Sequence, residues 1–219
     1  MTDAREKYEQ SLQVFSGAPS SSGKQLLAAI CLTKLGDYRE AQRTYSTSLR
    51  SALEDRLWHL SGEVHRLVDT LILSNESSMF PRVLGEVEAY KLDRRRDALY
   101  PLYAYAIACL LAGEDERATD YVPGLLKKPR IKDTFAMGET IRAIVDHDQT
   151  VFDTALGALL RAHRGMAKFG ALRETPEGFL CLPAMSLSKL ALDRGMQVVL
   201  ESEYLSRDYL DYLLNREDW

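Results

Sequence analysis

Apolar side chains recur at three- and four-residue intervals along almost the whole chain, a rhythm that predicts helices. Tyr8, Leu12 and Phe15 share one side of a first helix that Asp3 can cap. Ser16 to Gly23 breaks the pattern, and a second helix carries Leu26, Leu27, Ala29 and Ile30 to a stop at Gly36. Asp37 opens the next helix, with Glu40 three residues on at capping-box spacing. From there Tyr45, Leu49, Leu53, Leu57, Leu60, Val64, Leu67, Val68 and Leu71 keep the rhythm, as one long helix or two end to end near Ser61-Gly62. Further helices are predicted over 82–92, 99–112, from 114 to an interruption at Val122-Pro123, over 132–145, and over 206–215.

The stretch 152–205 organises the rest. Phe152, Ala155, Leu156, Leu159, Leu160 and His163 give one helix an apolar face. A charged connector with Arg173, Glu174 and Thr175 leads to Pro176-Glu177-Gly178. A second helix then runs through Leu182, Met185, Leu187, Leu190 and Leu192 and closes at Arg194-Gly195. Met196 to Leu200 is short and partly β-branched, which predicts a strand. Lys34 to Ala41 is echoed by Leu111 to Ala118: helix, glycine stop, acidic cap, helix. The two copies lie 77 residues apart, too far for an array of tetratricopeptide units of about 34 residues. The expectation is an all-α fold of stacked antiparallel helical hairpins, tetratricopeptide-like in part, with a short C-terminal β segment, over 1–219 as a single domain.

The 219 residues are 46% apolar and 27% charged, enough for a sizeable core. A net charge of −4 with well-mixed signs argues against a basic nucleic-acid-binding face. Cys31, Cys109 and Cys181 are far apart and set among apolar neighbours, so buried, reduced thiols of a cytosolic protein are expected. The charged N-terminus offers no secretory signal, and the longest apolar run, 102–112, is short of a membrane span. The expected location is the cytoplasm, with no membrane partner.

No constellation of reactive groups stands out, so no catalytic residue, metal site or cofactor is expected. Asp146-His147-Asp148 is the most site-like triplet, but its only further ligand candidate is His163, and Asp148 also suits a helix cap ahead of Phe152. His163 itself fits a buried, hydrogen-bonding histidine. His59 and His65, six apart, do not share a helical face. Arg94-Arg95-Arg96 and Lys127-Lys128-Pro129-Arg130 lack interleaved aromatics and read as solvated junctions. Tyrosine is abundant, and Tyr100, Tyr103, Tyr121, Tyr204, Tyr209 and Tyr212 fit either a binding surface or core and helix-edge packing.

The stretch 148–205 resembles immunity protein family 49 of bacterial polymorphic toxin systems. The likeness rests on Asp148, Phe152, Leu156 and His163; on Glu177-Gly178-Phe179-Leu180-Cys181-Leu182-Pro183-Ala184; and on Leu187, Leu190-Ala191, Arg194-Gly195, Glu201-Ser202 and Tyr204-Leu205. The resemblance implies a non-enzymatic antitoxin that binds one toxin or effector domain and occludes its active site. Asp148, Phe152, His163, Gly178, Pro183 and Gly195 then serve the structure. Glu174, Glu177, Glu201, Glu203, Tyr204 and Asp208, carboxylates around an aromatic, suit contact with a basic toxin. The alternative is a tetratricopeptide-like adaptor or chaperone gripping a peptide or protein in a concave groove. The oligomeric state is open, with a monomer allowed.

Overall fold

A computed structural model describes residues 4–16, 21–55, 63–90 and 99–215, and there the three-and-four rhythm becomes eleven α-helices. They are α1 (Ala4–Ser16), α2 (Ser22–Leu35), α3 (Tyr38–Asp55), α4 (Val64–Ser74), α5 (Phe80–Ala89), α6 (Leu99–Leu111), α7 (Asp115–Leu126), α8 (Lys132–Val145), α9 (Gln149–Phe169), α10 (Leu182–Asp193) and α11 (Arg207–Leu214). Short 3-10 turns occupy Ser77–Met79 and Pro176–Gly178. The rhythm from Tyr45 to Leu71 is divided between α3 and α4. Leu57, His59, Leu60 and Ser61-Gly62 lie outside the described residues, as do Asp3 and Arg94-Arg95-Arg96.

The helix stops explain the echo. Gly36 and Gly113 both take left-handed backbone, with φ of 85° and 73°. At each stop the next residue's N–H reaches back to the helix: Asp37 donates to the Leu32 carbonyl at 3.1 Å and Glu114 to Cys109 at 2.9 Å. The acidic residue's own carbonyl then receives the next helix's first bond, from Ala41 or Ala118. A third copy ends α8: His147 holds the left-handed position at φ 53°, and Asp148 donates to Ala143 at 2.9 Å. The break there is legible in the sequence, but the left-handed residue is not, because histidine stands where glycine is usual, at a backbone cost of about 1–2 kcal/mol.

These stops fold the chain into hairpins. α2 packs on α3, α6 on α7, and α8 on α9, while α4 and α8 both neighbour α6. α6 is apolar on all sides and buried from Pro101 to Leu110, which fits its central place. α10 is likewise buried over most of its length and lies against α4 and α8. Long-range bonds fasten the C-terminal third to the earlier hairpins. The Tyr209 hydroxyl donates to the Leu73 carbonyl at 2.6 Å, Lys34 Nζ to the Glu203 carbonyl at 2.6 Å, and Arg194 to the Leu110 carbonyl at 3.1 Å and to Asp115 at 2.6 Å.

Two expectations are corrected. Met196 to Leu200 alternates buried and exposed residues as a strand does, but there is no strand among the described residues. Its backbone is instead served by a side chain: the Gln149 amide accepts from the Gln197 N–H at 2.9 Å and donates to the Gln197 carbonyl at 2.9 Å, so a glutamine does the work of a neighbouring strand. Pro123 does not end a helix, for α7 runs through it to Leu126. The proline is on the exposed face, where water can serve the carbonyl that its missing N–H leaves unbonded.

Candidate functional site

Several of the resembling residues come together around one pocket of about 150 Å³. α4 contributes His65, Arg66 and Asp69; α6 contributes Tyr100; α8 contributes Asp133; and α9 contributes His163 and Met166. The segment after α9 closes the pocket with Leu172, Glu177 and the run Leu180 to Pro183. The positions follow from the fold: α4 and α8 both carry α10, and the 3-10 turn ahead of α10 packs on α9 and α2.

The connector depends on two small features. Glu174 takes left-handed backbone at φ 64°. Gly178 sits so close to the preceding turn that a Cβ there would lie 2.4 Å from the Leu172 carbonyl oxygen. His163 is tied to this turn through a hydrogen bond to the Gly178 backbone. Its Nε2 has no partner among the described residues. The edge of one ring meets the face of the other where His163 packs on Tyr204, with centroids 5.0 Å apart.

The pocket is acidic and rich in acceptors. The Tyr103 hydroxyl donates to Asp69 Oδ1 at 2.7 Å, and the Tyr100 hydroxyl to Asp133 Oδ2 at 2.7 Å. Tyr100 also stacks on His65 at 4.5 Å. Arg66 bridges Glu177 at 2.5 Å and Glu63 at 3.0 Å. Burial raises the Asp69 carboxyl to about 7, against the opposing pull of Tyr103, Ser186 and the Arg66 charge. The Ser186 hydroxyl exerts that pull from beside the carboxylate without completing a hydrogen bond. Burial pushes the Cys181 thiol up to about 12, so it stays protonated, the opposite of an activated nucleophile.

Burial also holds His163 neutral down to about pH 4, against 6.5 for the free side chain, with the Gly178 bond pulling weakly the other way. The unfolded chain therefore binds a proton between those pH values that the folded chain refuses. Stability is undiminished above pH 6.5 and falls as pH drops toward 4, by about 2–3 kcal/mol from this group. Asp69 acts oppositely, since its folded form keeps a proton that the unfolded form sheds near 3.8. Comparing wild type with His163→Asn isolates the histidine. Urea unfolding should show wild type losing about 2–3 kcal/mol more than the variant between neutral pH and pH 4. A difference independent of pH would refute the assignment.

Of the six residues singled out for contact, four are exposed and two are not. Glu201, Glu203 and Asp208 are exposed, as is Glu174, whose carboxylate lies 3.4 Å from Arg173. Glu203 is 3.6 Å from Lys168, and Asp208 accepts from the Tyr38 hydroxyl at 3.3 Å. Glu177 is committed to Arg66, and Tyr204 is buried at 6% exposure, so neither stands free at the surface. Tyr103 and Tyr209 are core residues, Tyr121 and Tyr212 half-buried, and Tyr100 exposed at the pocket. Asp148 caps α9, accepting from Val151 N–H at 3.0 Å, and Gly195 takes φ 78° after α10. Phe152 is buried, and Pro183 stands in the first turn of α10, where its missing N–H costs nothing. The three cysteines are free and buried. Among the described residues no helix is long and apolar enough to cross a membrane.

Asp69, Asp133 and Arg66 were not singled out from the sequence, and Tyr100 stood there only among the tyrosines that fit either a binding surface or packing. A polar residue inside an apolar helical rhythm is the only trace that Asp69 leaves there, between Val68 and Leu71.

Residues 25–206 match the family model described as Immunity protein 49. No curated protein and no solved structure matches the chain.

Proposed function

We propose that this chain, which belongs to the immunity protein 49 family, binds one cognate toxin or effector domain in the cytoplasm and neutralises it by covering its active site without turnover. The observation that carries the reading is the family match over residues 25–206, most of the chain. The thiol of Cys181, held protonated by burial, agrees with a binder.

The contact face that fits best is the exposed acidic segment after α10, with Glu201, Glu203 and Asp208, together with Glu174 on the connector. Phe169, 87% exposed, adjoins it through the Lys168–Glu203 pair and supplies an aromatic anchor in place of buried Tyr204. Such carboxylates would steer a basic partner and speed its association. Glu201→Lys, Glu203→Lys and Asp208→Lys together should slow association at least tenfold at low salt and weaken protection of cells co-expressing the toxin. Unchanged association and protection would remove this face from the account.

A peptide-gripping adaptor is less well supported. α10 of the chain itself lies against α4 and α8, on the helices that a bound peptide would have to reach.

A further inference from the structure

α1 is attached to the chain unlike any other helix. No side chain from Ala4 to Phe15 is buried, whereas each of the other ten α-helices among the described residues carries at least two buried side chains. Polar groups of α1 pair along its own surface, Arg5 with Glu9 at 2.9 Å and Gln10 with Glu6 at 3.2 Å. The family match begins at residue 25, inside α2, and leaves α1 out.

What fastens α1 is a small cluster around two rings. The helix packs on α2, and Tyr8 and Leu12 meet the core there. Tyr8 and Phe179 meet edge to face with ring centroids 4.9 Å apart, and Lys7 Nζ lies 4.8 Å from the centre of the Phe179 ring. Lys34 Nζ, from α2, lies 5.9 Å from the centre of the Tyr8 ring while donating to the Glu203 carbonyl at 2.6 Å. Such contacts, half in water, are individually weak. A helix of 13 residues also does not hold its shape alone in water, so α1 unwinds when it is released.

Beneath α1 lies a sealed side of α2. Leu27, Cys31 and Lys34 are spaced four and three residues apart and share one side of the helix, and Lys34 marks that side as the one facing Tyr8. Cys31 is 0% exposed, and a charge on its sulfur is near enough to act on the Tyr8 hydroxyl. We propose that α1 is a detachable strap: it leaves α2 and unwinds while α2 to α11 stay folded, baring Cys31, the Leu27–Lys34 side of α2 and the ring of Phe179. Opening reaches the connector through Phe179, the residue after Gly178, and the 201–205 segment through Lys34. The strap does not depend on the docking face above, so the two ideas fail separately.

Cys31 and Cys181 supply the test. Burial pushes both thiols up to about 12, so neither reacts in place and labelling of each requires its cover to open. The full chain is held in excess iodoacetamide under native conditions, and the labelled peptides are quantified by mass spectrometry. Cys31 should label at least about tenfold faster than Cys181. Tyr8→Ala, which removes the ring shared by Phe179 and Lys34, should speed Cys31 labelling about tenfold more and change Cys181 by less than about twofold. Tyr8→Phe keeps the ring and should label as wild type does. Hydrogen exchange separates release of α1 from local breathing at Cys31: the amides from Tyr8 to Leu12 should exchange in step with Cys31 labelling and well ahead of those in α8. Equal labelling of the two cysteines, a Tyr8→Ala effect shared by both, or α1 amides protected as long as those of α8 overturns the proposal.

Discussion

Gly178→Ala is expected to destabilise the fold by about 3 kcal/mol or more, lowering the melting temperature by about 10 °C. The added Cβ would lie 2.4 Å from the Leu172 carbonyl oxygen and 3.5 Å from the Ala167 Cβ. That oxygen cannot move cheaply, because it accepts both the N–H of Thr175 at 3.3 Å and its hydroxyl at 3.0 Å. Relief would have to come from the Gly178 backbone, whose N–H donates to the Thr175 carbonyl at 2.9 Å and which also holds His163. The whole 172–178 turn would shift, and the pocket with it. Gly85→Ala is the control. It sits exposed in α5 with no atom within 4 Å of where a Cβ would lie, so the same methyl should stabilise by about 0.5–1 kcal/mol. Scanning calorimetry on the two variants should give opposite signs; a harmless Gly178→Ala would show that the turn is not as tightly closed as described.

Phe152→Ala should cost about 3–5 kcal/mol, a drop of roughly 10 °C in melting temperature. Phe152 begins the apolar face of α9 and is fully buried with Leu156 and Leu159 in the main core. Its removal leaves a ring-sized void that the packed helices around it can only partly close. Phe169→Ala, at the far end of the same helix and 87% exposed, should change stability by less than about 0.5 kcal/mol. If Phe169 anchors a partner, its loss appears in toxin affinity instead. Equal thermal effects for the two variants would contradict the assignment of the buried face.

Local signals in the sequence were strong enough to place the helices. The spacing from Phe152 to His163 marks the side of α9 that is buried, and α8 spans the 132–145 range that its rhythm predicts. The Gly36 and Gly113 stops were visible because glycine is the ordinary left-handed residue; at Asp146-His147-Asp148 the break was visible, but not that a histidine takes the left-handed position. Contacts between distant segments leave no local trace. Gln149 serving the backbone of Gln197 removes the expected strand, and Arg66 meets Glu177 across 111 positions, from 66 to 177. A carboxylate in a connector reads as solvated, and only the folded chain reveals that Glu177 is spoken for and that Asp69 is buried at 0% exposure. The family likeness was legible in 148–205, and the family match extends it to 25–206.

Titrating the activity of the cognate toxin with this protein tests non-catalytic neutralisation most directly. Activity should fall linearly to zero at one molecule of protein per molecule of toxin, and return in full when the two are separated in denaturant and the toxin is refolded. Loss of toxin activity at far below equimolar protein, growing with time and surviving separation, would mean turnover and contradict the account.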